Sequence, residues 1–186
     1  MARGRLLLLL LAASALVVGR GDSEPSAETA ETGGDPQPFS ISAEDFEPGG
    51  DIPVKLTCDG ADRSPRLFWT APPEGTRELA LIVEDPDAGN FVHWVAYNTP
   101  GTAREFSGGQ QEGNLATFGA NDFGGTGWAG PCPPEGDPHE YGFALFALDE
   151  PLGVEPGATA AELRSAMDGK IIDQARISGF YKRRAA

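Results

Sequence analysis

Residues 79–98 read Leu79-Ala80-Leu81-Ile82-Val83-Glu84-Asp85-Pro86-Asp87-Ala88-Gly89-Asn90-Phe91-Val92-His93-Trp94-Val95-Ala96-Tyr97-Asn98. Two apolar stretches, Leu79 to Val83 and Phe91 to Asn98, flank a segment rich in acidic, proline, glycine and asparagine residues. Short apolar runs bounded by turn formers read as β-strands, because branched and aromatic side chains suit a pleated surface that turn residues interrupt. The stretch therefore predicts two sequential strands joined by an acidic turn. Period-two alternation puts Phe91, His93, Val95 and Tyr97 on one face of the second strand, and Val92, Trp94, Ala96 and Asn98 on the other. A histidine among aromatics beside strand-end carboxylates fits a ligand-binding imidazole or a core histidine satisfied by one hydrogen bond. Asp87, within Asp85-Pro86-Asp87-Ala88, reads most simply as a turn residue bonding its own backbone.

The same signature recurs on either side. Glu140 to Leu148 and Gln174 to Phe180 are further strands, with shorter ones at Phe39 to Ser42, Lys55 to Cys58 and Arg66 to Thr70. One segment is helical: Thr159-Ala160-Ala161-Glu162 is a capping-box pattern, after which Leu163, Ala166 and Met167 share a face and Asp168-Gly169 ends the run. With 25 Gly and 16 Pro, long loops are expected and long helices are not. The loop from Gly101 to Pro138 exceeds a simple connector, so it should be functional or carry strands of its own. The fold class is mainly β, a β-rich α+β domain.

The 186 residues carry 14 Lys and Arg against 28 Asp and Glu, a formal charge of −14. Phosphate backbones are bound by clustered cations, so nucleic acid is excluded as a partner, and anionic membrane surfaces are disfavoured. Residues 40–186 hold 11 cations and 23 anions, so the acidity belongs to the domain rather than to a tail. At the start, Met1-Ala2-Arg3-Gly4-Arg5 precedes 13 apolar residues, Leu6 to Val18, with small residues at Ala13-Ser14-Ala15. This is the anatomy of a signal peptide over residues 1–19, the alternative being an uncleaved membrane anchor. A lipoprotein would need a cysteine directly after the apolar run, and the first cysteine is Cys58. Residues 20–38 read as a flexible acidic linker and residues 39–186 as the domain. The product is thus expected to be exported, periplasmic or secreted, with no stable membrane association after cleavage.

A second cluster runs Gly124-Gly125-Thr126-Gly127-Trp128-Ala129-Gly130-Pro131-Cys132-Pro133-Pro134, then through Asp137-Pro138 to His139 and Tyr141. Its glycine spacing imitates a dinucleotide fingerprint, but the prolines that follow cannot open the helix such a motif requires. Two readings stay open: a loop whose amides approach a small anion, or a rigid turn with no ligand. His93 and His139 are the only histidines, each at the mouth of an expected strand. Neither close histidine pairs nor an HExxH spacing occurs, so no metal is assigned, and serine-elbow and Walker motifs are missing. Cys58 and Cys132 pair as a disulfide in an oxidising compartment, or else Cys132 is a free thiol near a histidine.

Taken in order, Thr57-Cys58-Asp59-Gly60, Ser64-Pro65, Trp69, Asp85-Pro86-Asp87-Ala88, His93-Trp94, Asn98, Asn121-Asp122-Phe123-Gly124, Gly130-Pro131-Cys132-Pro133-Pro134 and His139-x-Tyr141 resemble the phosphatidylethanolamine-binding protein family. The likeness is to its bacterial and archaeal branch, the Raf kinase inhibitor-like proteins, and spans Phe39 to Tyr181. It implies a large antiparallel sheet packed with a smaller one, one or two short helices, and an anion pocket at one end. Carried over by position, that pocket would consist of Asp85, Asp87, His93, Gly130, Pro134, His139 and Tyr141. It implies no cofactor and a small anionic ligand: phosphate, a phosphoryl headgroup or a carboxylate. Imidazole and loop N–H groups would donate to the anion, while Asp85 would orient a histidine or receive an amine.

Three departures from the family pattern bear on this. Gly89 stands where proline is common, which suggests a looser turn. Glu140 replaces an arginine, and alternation turns it away from His139 and Tyr141. The chain stops five residues after Tyr181, without the terminal helix of vertebrate members, which weakens any carry-over of their kinase partners. The leading expectation is an exported binding or regulatory protein without catalysis. The alternatives are an inhibitor of a protease or kinase acting through its loops, and a weak hydrolase using His93 or His139 as general base.

Overall fold

The computed structural model describes residues 37–109 and 115–184. The expected signal peptide at 1–19 and nearly all of the linker lie outside the described residues. In chain order the elements are β1 (Ile41–Ala43), β2 (Gly50–Asp51), β3 (Leu67–Trp69), β4 (Glu78–Asp85), β5 (Phe91–Pro100), β6 (Glu105–Phe106), β7 (Thr117–Phe118), β8 (His139–Leu148), α1 (Ala160–Met167) and β9 (Ile171–Tyr181). A six-stranded sheet runs β2-β9-β8-β4-β5-β7, antiparallel except for the β2–β9 pair, and a three-stranded antiparallel sheet runs β1-β3-β6. The expected mainly β fold with two sheets and one helix is what the chain forms.

β4 and β8 occupy the centre of the large sheet, and they read as continuous apolar runs because both of their faces are covered. Leu79, Leu81 and Val83 of β4, with Phe143, Leu145 and Ala147 of β8, pack toward Leu67, Trp69 and Phe106 of the small sheet. Ala80, Ile82, Ala144, Phe146 and Leu148 pack the other way, under Leu152, Leu163 and Met167. The large sheet is therefore the middle of three layers, and each face buries its own core. The helix starts as its sequence dictates: the Thr159 hydroxyl accepts the Glu162 N–H, and the Glu162 carboxylate accepts the Thr159 N–H. Leu163 and Met167 are buried beneath it, with Ala166 partly covered.

One expected strand is absent. Residues Val54–Leu56 form a 3-10 turn instead, closed by the Leu56 N–H on the Pro53 carbonyl and the Thr57 N–H on the Val54 carbonyl. Pro53 fixes its own φ and starts this turn, and the apolar run is too short to override that local choice. The long loop after β5 carries β6 and β7, and residues 110–114 within it lie outside the described set. No helix among the described residues is long and apolar enough to cross a membrane.

Candidate functional site

β5 does not alternate evenly. Val83 pairs with Trp94 and Glu84 pairs with Val92, so His93 is an extra residue, a β-bulge opposite one step of β4. Trp94 and Ala96 consequently face the small sheet, while Val92, Val95 and Tyr97 face the helix. The even alternation expected over residues 91–98 is thereby corrected: Val95 and Tyr97 lie on the face opposite His93, because the inserted residue shifts the phase. The bulge turns the His93 ring toward the end of β8, where it meets Tyr141 edge-on with centroids 5.1 Å apart. Phe91 and Phe123 complete an aromatic collar around it, at 5.5 and 5.4 Å.

Asp85, at the end of β4, is buried. One of its oxygens accepts the Ala88 N–H at 3.0 Å and so caps the turn Pro86–Ala88. The other lies 2.7 Å from Nδ1 of His139. Asp87 is exposed and accepts the Glu140 N–H at 2.8 Å. It does not bond its own turn, as first read; Asp85 does that, and Asp87 instead ties the turn to the start of β8. Gly89 ends the turn at φ 73°, in the left-handed region, with its N–H on the Pro86 carbonyl. Proline cannot adopt that angle, so the turn is held in a different way rather than loosened.

His93 is 2% exposed, and its Nδ1 lies 2.6 Å from the Ala129 carbonyl. The Ala129 N–H returns a bond to the His93 carbonyl at 3.0 Å. A carbonyl only accepts, so Nδ1 carries the proton and Nε2 is the open ring position. Burial lowers the His93 pKa from its ordinary value, opposed by the Ala129 bond and the charge of Asp85. Tyr141 is buried, and its hydroxyl lies beside the Asp85 carboxylate without reaching hydrogen-bond geometry to it or to another group. Burial, then the negative charge of Asp85, push its pKa well above the usual phenol range, so it remains a proton donor. Trp94, Trp128 and Thr99 also bury an unpartnered polar atom, but of these four side chains only that of Tyr141 packs against the His93 ring.

The glycine loop behaves differently from the anion cradle considered above. The Gly124 N–H bonds the Asn121 carbonyl, Gly125 the Asn121 side chain, Gly127 the Gly119 carbonyl, and Gly130 the Asp62 carboxylate at 2.7 Å. All four glycine amides of this loop are thus committed within the protein. Gly130 is glycine for a steric reason: a Cβ there would sit 2.2 Å from the Leu56 carbonyl oxygen. Pro134 is exposed on the way to β8. Cys58 and Cys132 form a disulfide, joining the turn after Leu56 to this same loop. The free-thiol alternative for Cys132 is therefore set aside.

Of the seven residues carried over by resemblance, the structure brings Asp85, His93, His139 and Tyr141 together. Asp87 and Gly130 border them through backbone bonds. Glu140 opens onto the opposite face, in a groove shared with Glu84, Arg176 and Ser178. Three neighbours were not singled out by sequence reasoning. Phe123, 52% exposed, closes the collar; Asn121 organises the glycine loop; and Asp122 accepts the Val92 N–H at 2.7 Å. Their motif was visible, but nothing in its residue types told which would face an imidazole. Among the described residues, no group of three or more His, Cys, Asp or Glu is arranged to hold a metal ion.

Comparison with known proteins agrees with this fold. The sequence profile of the phosphatidylethanolamine-binding protein family matches residues 42–182. A UPF0098 protein of Aquifex aeolicus is 44% identical over 159 residues, covering 78% of this chain and 89% of its own. A Mycobacterium tuberculosis protein named as the lipoprotein LppC is 37% identical over 150 residues, 78% of this chain and 73% of its own. The crystal structure of CT736 from Chlamydia trachomatis, named as a phosphatidylethanolamine-binding protein homolog, superposes with a TM-score of 0.74 at 36% identity, covering 78% of this chain and 98% of that one. With a matching profile over most of its length, relatives of this identity and a shared fold, the chain belongs to the phosphatidylethanolamine-binding protein family.

Proposed function

We propose that the domain binds a small anion, a phosphate, phosphoryl headgroup or carboxylate, among His93, His139 and Tyr141. The observation that carries this is the Tyr141 hydroxyl, buried without a partner beside one imidazole and within the field of Asp85. A buried hydroxyl left unbonded costs about 1–3 kcal/mol, and a ligand oxygen at this spot would recover it. Asp85 orients His139 through one oxygen and caps the Pro86–Ala88 turn through the other, and either oxygen keeps a lone pair for a ligand amine. The profile's own description, binding of phosphatidylethanolamine, supports a phosphoryl ligand. Export is part of the same reading, supported by the N-terminal apolar run, the disulfide and the lipoprotein name of one relative.

We read the site as binding without turnover; the Asp85–His139 pair has the geometry of an oriented general base, so phosphoester turnover lost in His139→Ala would support hydrolysis instead. The deciding experiment is titration of the protein with inorganic phosphate and with phosphoethanolamine, followed by NMR of the imidazole carbons and nitrogens. Shifts at both His93 and His139 are expected. Unchanged imidazole signals at saturating ligand would overturn the reading.

A further inference from the structure

The hydrogen-bond inventory around the site decides which protonation state can hold an anion. Nδ1 of His93 faces a carbonyl and Nδ1 of His139 faces a carboxylate, and both of those partners accept only. In the neutral state each ring therefore presents the lone pair of Nε2. The glycine amides of the loop are already spent on Asn121, Gly119 and Asp62. What remains as a donor beside the His93 ring is the Tyr141 hydroxyl.

The charged surroundings point the same way. Asp85 of β4 and Asp122 of the glycine loop act on the His93 ring, Asp85 holds His139, and Asp85, Asp87 of the following turn and Tyr181 of β9 act on Tyr141. Among the described residues no lysine or arginine is bonded to either imidazole or to Asp85. A fully deprotonated anion would meet one hydroxyl donor, Tyr141, against two lone pairs and the charge of Asp85.

Resting on the anion-site reading above, we infer that the site takes up its anion together with one proton, and so favours oxyanions that retain an ionisable proton near neutral pH over those that do not. Phosphate and phosphate monoesters belong to the favoured class; sulfate belongs to the other, and a phosphodiester such as a phospholipid headgroup binds with the proton supplied to an imidazole. The proton can sit on an Nε2, which then donates to the anion, or on the anion, which then donates to an Nε2. Phosphate, with its own ionisation close to that of imidazole, brings the proton with it. Sulfate must wait for an imidazole to be protonated.

The test is calorimetric titration of the full-length protein with inorganic phosphate and with sulfate. It is run from pH 5.5 to 8.5, in pairs of buffers that differ in protonation enthalpy. Sulfate binding at pH 7 is expected to take up about one proton and to weaken about tenfold per pH unit above the imidazole range. Phosphate is expected to take up fewer protons at pH 6 and to exceed sulfate in affinity at pH 7.5. In His93→Gln and His139→Gln the pH dependence should flatten, since an amide offers its N–H at every pH; unchanged circular dichroism would certify folding. Equal affinities at pH 6 and 8 with no proton uptake would overturn this inference while leaving the anion site standing. No binding of either anion at pH 5.5 would remove both.

Discussion

Asp85 and His139 stand at the ends of adjacent strands, with carboxylate oxygen and Nδ1 2.7 Å apart. The same carboxylate caps the Pro86–Ala88 turn, so one buried group sets both the backbone path into β5 and the direction in which His139 presents Nε2. Replacing Asp85 with Ala leaves two donors without their acceptor. The expected cost is about 2–4 kcal/mol, measured by urea unfolding. Asp85→Asn keeps an acceptor for His139 and should recover at least half of that, while still weakening phosphate binding. A loss below about 0.5 kcal/mol in Asp85→Ala would show that the pair does not organise the site.

Tyr141→Phe removes the hydroxyl that has no partner. Thermal stability should stay level or rise, by up to about 1 kcal/mol, because a buried unpaired group is removed. Phosphate affinity should fall by about threefold to tenfold, the worth of one neutral hydrogen bond. Destabilisation with unchanged affinity would mean that the hydroxyl serves the fold and not the ligand.

Burial lowers the His93 pKa in the folded chain, so the unfolded chain binds its proton first as pH falls. The stability linked to His93 is complete above the unfolded value, about 6.5, and is lost as pH drops through the lower folded value. Melting temperatures in anion-free buffer should therefore decline from pH 7.5 to pH 5, and less steeply in His93→Gln. A saturating anion should reverse part of the decline, since it binds the protonated state.

The disulfide closes a loop of 74 residues' separation. On the chain-entropy model this contributes about 4 kcal/mol, and Cys58→Ser or Cys132→Ser should lower unfolding free energy by that order. The bridge also fastens the loop whose Ala129 carbonyl holds His93. Reduction should accordingly shift the His93 imidazole signals in the folded protein, and silence at His93 would show the loop to be fixed by Asp62 and Asn121 alone.

Gly130→Ala tests whether that glycine serves packing or ligand. A Cβ would strike the Leu56 carbonyl and the Asp62 carboxylate at 2.2 and 2.5 Å. A destabilisation of about 2 kcal/mol or more is expected, with His93 displaced. A stable variant that had merely lost phosphate affinity would instead return the Gly130 amide to the binding site.

The strands at 79–83, 140–148 and 174–180 were legible because their apolar runs are bounded by turn residues, and α1 because its capping box is a local signal. The strand expected at Lys55 to Cys58 is replaced by a 3-10 turn because four residues hold too little periodicity to compete with Pro53. At the site, the family resemblance pointed to Asp85, His93, His139 and Tyr141, where residue types alone left His93 as either a ligand or a core histidine. The bulge at His93 has no signature in the sequence, since it arises from how β5 registers on β4. The glycine amides looked free for an anion, and only their long-range partners, Asp62 above all, show that they are engaged. Signals that depend on residues 68 positions apart cannot be read from either end alone.

The inserted residue of β5 also separates the site from the scaffold that carries it. Removing His93 would bring Val92 and Trp94 into regular succession opposite Glu84 and Val83, with Val95 and Ala96 still facing Ile82 and Leu81. The ladder would then run in register from Asp85 to Leu81, with the second register shift, between Leu79 and Leu81, still in place. One imidazole of the proposed site thus stands outside the pairs that β5 makes with β4, held by the Ala129 loop rather than by the ladder.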